Sequence, residues 1–353
     1  MEITKKNKGR CGRMKINKLE LQKALEKVKP GLAKTEFIEQ TTSFAFTGGN
    51  VVTYNDEISI SHPVENLDVT GAVKAQTLYE LLNRIKDEEI DIEWEDNQVI
   101  IQAGKSKAGL VFEQEVVLPV KDEIGKIGKW KKVPKGFIEA IKFCYPCCSR
   151  DMSRPVLTCV NVTQKRVEAS DSYQIIAFDM AGKLPVEPFL MPVSAVRELV
   201  KYDVKEISKG ESWIHFRTED GTVFSSRIFM GEFPDVSNLL EVSGKEFNFP
   251  KNTKEMLERA DVFSKKGVSA SDVIPTVEIE LKKKTMHVSA KNEYGWFKEK
   301  ASVEYMEDPV KFEVGIQFLL DIANKFFDCV IGENVIKFKG DNWAHVIVTW
   351  SED

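Results

Sequence analysis

Three pairs of amphipathic helices, interleaved with short alternating strands, recur along the 353-residue chain at near-constant spacing. The first pair is read at residues 18–29 and 74–86, the second at 134–145 and 192–202, the third at 250–263 and 315–327. Within the first helix Leu21, Leu25 and Val28 fall on one face, and Leu78, Leu81, Leu82 and Ile85 make the apolar side of the second. The first helix of each pair opens at Lys18, Pro134 and Pro250, a repeat of roughly 116 residues, far longer than a solenoid unit. The chain therefore reads as one domain repeated three times. Pro134, Pro192 and Pro250 are expected in the first turns of their helices, where a missing N–H costs nothing.

Between the helices, runs rich in Val, Ile, Thr, Phe and Trp alternate with period two, as antiparallel strands do. Gly48-Gly49, Asp96-Asn97, Asp220-Gly221 and Gly340-Asp341-Asn342 supply the turns. The expected fold class is α+β, with each domain two helices packed on antiparallel β-sheets. Boundaries are expected at 14–122, 129–242 and 246–353, after an extension 1–13, with linkers at Val120–Lys131 and Leu240–Asn248.

Hydrophobic residues at 42% and charged residues at 30% describe a globular chain. No apolar run reaches a membrane span, and the basic first residues lack the apolar stretch of a signal peptide, so a cytoplasmic location is expected. Six cysteines in this length make no disulfide framework. The net charge of −5 means that any nucleic-acid surface must be a segregated one.

Signals for catalysis are weak. Gly104-Lys105-Ser106 lacks the upstream glycine of a phosphate loop, since Val99 stands there, and it reads as a strand turn. Cys144, Cys147 and Cys148 have no fourth ligand within reach in sequence, and His215 is remote, so packing at a helix end is favoured over a metal. His62, His215, His287 and His345 lie in or beside strands without a nucleophile motif. No catalytic residue, metal or cofactor is assigned. Two rival classes stay open: a thiol or metal enzyme using the cysteine cluster, and a repeat-built adaptor that binds proteins.

Arg154-Pro155-Val156-Leu157, followed by VEASDSYQIIAFDM (167–180), resembles the second domain of the bacterial DNA polymerase III beta sliding clamp family. Ser226-Arg227-Ile228 and Gly231-Glu232-Phe233-Pro234-Asp235 are similar to the same family, as are stretches at 52–61, 104–110, 259–267, 289–301 and 318–326. The resemblance runs in order over about residues 14–350. Ser172, Tyr173 and Gln174 depart from the family's Gly-His-Arg, and the end reads HVIVTWSED rather than Val-Met-Pro-Met-Arg. These departures suggest a divergent member, of phage or other mobile-element origin.

The resemblance implies a non-catalytic processivity factor, a homodimeric ring around double-stranded DNA. It implies that Lys23, Lys27, Lys29, Lys34, Lys74, Arg84, Lys135, Lys142, Arg197, Lys201, Lys254 and Lys325, with the Ser149-Arg150 loop, line the DNA. Such a surface attracts phosphate without reading bases. It also implies a pocket for a short hydrophobic peptide of the polymerase or clamp loader. Its lining would be Leu157, Ser170, Ser172, Tyr173, Gln174, Ile175, Pro234, Leu239, Val346, Ile347 and Val348, with Trp350 in place of a methionine. The dimer seam would set Ala108 and Leu110 of one copy against Val262 and Phe263 of the other. The plain alternatives are solvated helix faces for the bases and strand core for Leu157, Ile175 and Val346.

Overall fold

The computed structural model describes residues 13–95, 97–265, 274–323 and 326–351. The first pass along the chain is β1 (Arg13–Asn17), α1 (Lys18–Val28), β2 (Ser43–Thr47), β3 (Asn50–Tyr54), β4 (Ile58–Pro63), β5 (Thr70–Lys74), α2 (Ala75–Arg84), β6 (Glu89–Trp94), β7 (Gln98–Ala103) and β8 (Ser106–Val111). A short helix, α3 (Val120–Ile124), follows. The second pass is β9 (Lys131–Lys132), α4 (Phe137–Cys144), β10 (Cys159–Val162), β11 (Arg166–Ser170), β12 (Gln174–Asp179), β13 (Phe189–Pro192), α5 (Val193–Leu199), β14 (Val204–Lys209), β15 (Trp213–Thr218) and β16 (Val223–Arg227). The third is β17 (Lys245–Asn248), α6 (Thr253–Asp261), β18 (Thr276–Lys282), β19 (Thr285–Asn292), β20 (Gly295–Ser302), β21 (Val310–Gly315), α7 (Ile316–Ile322), β22 (Asp328–Ile331), β23 (Val335–Lys339) and β24 (Trp343–Trp350). One order of elements thus occurs three times: strand, helix, four strands, helix, three strands.

Contacts group the chain into two compact units that divide the middle repeat between them. One unit holds the four-stranded sheet β1-β6-β7-β8 and the eight-stranded sheet β5-β2-β3-β4-β16-β15-β14-β9. The other holds a twelve-stranded sheet, β13-β10-β11-β12-β24-β21-β18-β19-β20, with β23, β22 and β17 branching from β24. The division follows from the pairing. β4 joins β16 through Ile58↔Ser226, Ser59↔Ser225, Ile60↔Phe224 and Ser61↔Val223, which ties the first repeat to half of the second. β12 joins β24 from Gln174↔Ile347 to Phe178↔Trp343, which ties the other half to the third.

Local chemistry explains the helices. Asn17 accepts the backbone N–H of Glu20 at 3.1 Å and caps α1. Leu21, Leu25 and Val28 are buried, and each such side chain contributes about 1.5–3 kcal/mol. In the third repeat Met256, Leu257 and Ala260 of α6 meet Ile316, Leu319 and Ile322 of α7 over the inward residues Val277, Ile279 and Leu281 of β18. Among the described residues no helix is long and apolar enough to cross a membrane.

One expectation is corrected. The prolines lie ahead of the helices, not in their first turns: α4 begins three residues after Pro134, α5 one after Pro192, and α6 three after Pro250. The Pro134 and Pro250 carbonyls accept the N–H of Phe137 and Thr253, so these prolines shape the turn that launches the helix. The segments read as linkers carry elements of their own. Val120–Lys131 opens with α3, and Leu240–Asn248 ends in β17, whose backbone pairs with β22.

Two histidines are enclosed by the sheets. His215 Nδ1 lies 2.9 Å from Ser225 Oγ, and His345 Nε2 lies 2.9 Å from Gln174 Oε1. Burial pushes each imidazole down to about 4, from an ordinary value of 6.5. The unfolded chain therefore binds more protons between these values, and stability present above about pH 6.5 is lost as the pH falls toward 4, on the order of 3 kcal/mol per histidine. A series of urea midpoints against pH should show this slope, and His345→Gln, which keeps a donor to Gln174, should make it shallower. Identical slopes would refute the assignment.

Candidate partner groove and cationic helix faces

The β12–β24 joint has two faces. On one, Ser170, Ile175, Val346 and Lys337 form a row across β11, β12, β24 and β23. Ala177 and Ala344 form the next row, and Tyr173 meets Val348, whose N–H donates to the Tyr173 carbonyl at 2.8 Å. Trp350 continues the same side of β24. Val236 and Leu240, from the turn Ser237–Leu240 and the residue before it, close over Ala177 and Val346, with Ile175, Phe233, Val242 and Val335 at the margin. The Lys337 ammonium donates to the Leu240 carbonyl at 2.6 Å and pins this segment to the sheet.

At the open end the surface becomes aromatic. Tyr173 is 42% exposed and stacks on Phe318, with ring centroids 6.4 Å apart, while Trp350 lies 6.2 Å away. The Tyr173 backbone is held in place. Asp171 Oδ1 accepts the N–H groups of Tyr173 and Gln174, both at 2.9 Å, and Ser172 takes a positive φ of 80°. Burial raises the Asp171 carboxyl from its ordinary value, against the opposing effect of these hydrogen bonds. Arg154 Nη1 donates to Ser172 Oγ at 3.0 Å and edges the site.

The structure thus brings Ser170, Tyr173, Ile175, Val346, Val348 and Trp350 to one face, with Ser172 at its rim. Gln174 and Ile347 belong to the other face: Gln174 is buried against His345, and Ile347 lies in the core of the third repeat. Leu157 is buried, and its carbonyl accepts the N–H of Ser149. Pro234 precedes the covering segment. Leu239 is 58% exposed, while Leu240 makes the apolar contact. Sequence reasoning missed Val236 and Leu240, although their i, i+4 spacing marks one side of a helical turn, and it missed Phe318, which no local pattern connects to Tyr173.

The cysteine cluster is sealed. Cys144, Cys147 and Cys148 are buried, and burial pushes the Cys144 and Cys147 thiols well up, which disfavours a nucleophilic thiolate. Cys144 Sγ lies 3.3 Å from the Val167 carbonyl. A histidine does reach the cluster: His345 Nε2 is 3.7 Å from Cys147 Sγ, brought there by the β12–β24 joint. Among the described residues no three His, Cys, Asp or Glu side chains gather as metal ligands.

The helices α1 and α2 run antiparallel, cross-linked by Gln22 to Asn83 at 2.7 Å and Tyr79 to Glu26 at 2.9 Å. Lys23, Lys34 and Arg84 are exposed in this unit, as is Arg197 on α5. Lys29 is exposed with its ammonium 4.2 Å from the Tyr79 ring centroid. Other bases are neutralised within the fold. Lys27 pairs with Asp220 at 2.5 Å, Lys74 with Glu36, Lys201 with Glu198 at 2.7 Å and Lys254 with Glu258 at 3.3 Å. In the other unit Lys135, Lys142 and Arg150 are exposed, but Ser149 is buried and receives the Asp151 N–H. Lys325 lies outside the described residues.

Ala108 and Leu110 stand on β8, the edge of the four-stranded sheet, opposite Ile101 and Val99. Val262 is 70% exposed just beyond α6. Phe263 packs partly onto the core of the third repeat.

No protein-family model and no curated protein matches the sequence. Solved structures do. A DNA polymerase sliding clamp from Pseudomonas aeruginosa with ligand superposes with a TM-score of 0.83 at 17% identity, covering 96% of this chain and 100% of that one. The sliding clamp from Bacillus subtilis gives 0.80 at 17% identity, and the polymerase beta subunit of Streptococcus pyogenes 0.81 at 18%, each covering 97% of this chain and 100% of the other. Over nearly its whole length, then, this chain has the α+β repeated-domain fold of the bacterial DNA polymerase III beta sliding clamps.

Proposed function

We propose that the chain is a divergent, non-catalytic sliding clamp, a homodimeric ring that encircles duplex DNA and tethers a replicative polymerase. One observation carries this reading. The fourth strand of the first pass, β4, pairs with the last strand of the second, β16; the fourth strand of the second, β12, pairs with the last strand of the third, β24. Continuing that rule, β20 of the third pass seeks a β8, and both strands are sheet edges in this chain. A second copy supplies each missing partner, and two such junctions close a cycle. Ala108 and Leu110 on β8, and Val262 and Phe263 beside the β20 edge, are the seam residues of this reading. The modules at 14–122, 129–242 and 246–353 become its domains.

A closed ring holds DNA by topology and needs only diffuse attraction to phosphate. Lys23, Lys29, Lys34, Arg84, Lys135, Lys142, Arg150 and Arg197 are the exposed bases suited to this. Lys27, Lys74, Lys201 and Lys254 contribute less because carboxylates already hold them. Polymerase and loader would anchor a short apolar peptide on Ile175, Val348, Tyr173 and Trp350.

Sedimentation should give twice the 40.1 kDa chain mass, and Leu110→Asp on β8 should yield monomer. A wild-type monomer would overturn the ring. Once loaded, the protein should stay on closed circular DNA through high-salt gel filtration and leave when the circle is cut; equal retention on both forms would refute encirclement. Ile175→Arg should abolish stimulation of the cognate polymerase while the dimer persists, and undiminished stimulation would exclude the groove.

A further inference from the structure

The unit that contains the first repeat holds a cavity of about 770 Å³. Its floor is the face of β2, β3 and β5 that carries Ala45, Thr47, Val52 and Thr70. Its roof is the strap leading into α3, which turns Val116, Leu118 and Val120 inward. Both ends of the strap are fastened. Buried Gln40 donates to Glu113 Oε2 at 2.6 Å and to the Glu115 carbonyl at 2.8 Å, and it accepts the Val117 N–H at 2.9 Å. At the far end Arg227 Nη2 holds Glu123 at 3.2 Å while anchored on Asp56 at 2.6 Å. Leu118 of the strap packs on Ala45, Tyr54, Ala72 and Trp213, so the cavity lies beside that contact, between Gln114–Val116 and the floor residues Thr47, Val52 and Thr70.

The cavity opens beside a sheet edge. β5 is the outermost strand, and at Ala72 it exchanges backbone hydrogen bonds of 2.7 and 3.0 Å with Glu113. The register of β5 with β2 is unbroken from Lys74 to Thr70. Backbone direction alternates along a strand, so the Thr70 N–H and C=O point the same way as those of Ala72, outward. Among the described residues nothing meets them. A strand added there would place the residue opposite Thr70 on the cavity side, because paired residues share a face.

We propose that this is a second docking site, for an extended peptide of a partner protein that adds to β5 at Thr70 and lays an aliphatic side chain in the cavity beside the strap, against Thr47 and Val52. Backbone pairing supplies the alignment and the cavity selects the side chain, the logic of strand addition. Glu115 at the lining favours a basic residue two positions from the inserted one, on the same face of the added strand. The site is independent of ring closure and of the groove at the β12–β24 joint.

The test uses the full chain with methyl-labelled Val and Leu, titrated with acetyl-Lys-Val-Leu-Val-Lys-amide. Saturable shifts are expected at Val52, Val116, Leu118 and Val120. The same peptide N-methylated at its leucine should bind about tenfold more weakly, since it cannot donate to the Thr70 carbonyl. Thr70→Pro, tolerable on an edge strand, should weaken the unmodified peptide similarly. Absence of saturable shifts, shifts confined to other methyl groups, or equal binding of the N-methylated peptide would overturn the proposal, and the two peptide arms do not depend on any variant folding.

Discussion

The backbone pairing of strands from successive repeats is the constraint on which the rest depends. Neither β4 nor β12 has a second neighbour within its own repeat, and an uncovered strand edge leaves N–H and C=O groups without partners. Pairing with β16 and β24 satisfies them and makes two short sheets into long ones. The same joints bury side chains from both participants. His345 meets Gln174 only because β24 lies beside β12, and Val346 joins Ala177 for the same reason. The joint thus makes core on one face and the candidate partner groove on the other.

Charge is arranged by similar local bargains. The chain is negative overall, yet exposed bases remain on α1, α2, α4 and α5. Others face carboxylates supplied by distant turns, as Lys27 faces Asp220. Hydrogen bonds from Lys27, Thr218 and Thr222 hold the Asp220 carboxyl well below the usual range, against the opposing effect of burial. Exposed ion pairs of this kind add only about 0–1 kcal/mol to stability. Their main consequence is to remove particular bases from the pool that can attract phosphate.

Much of this was legible in the residues themselves. The apolar faces of α1 and α2 and the inward residues of β18 follow from periods of 3.6 and two. The groove was legible in part. Tyr173 and Ile175 stand together, whereas Gln174 between them turns inward, as strand alternation requires; carrying over consecutive residues blurred that distinction. The covering role of Leu240 rather than Leu239 depends on the phase of one helical turn. The approach of His345 to Cys147 has no sequence signature, because the two residues are 198 positions apart.

By itself the sequence determined the threefold order of helices and strands, the apolar faces of α1 and α2 and the α+β class. These follow from local periodicity, which any short window of residues reveals. Only the tertiary structure decided which strands adjoin across repeats, which lysines meet a carboxylate, where Tyr173 finds Phe318, and where the strap before α3 crosses the sheet. Those outcomes depend on hydrogen bonds and contacts between residues far apart in the chain, whose free energy exists only once the backbone has brought them together.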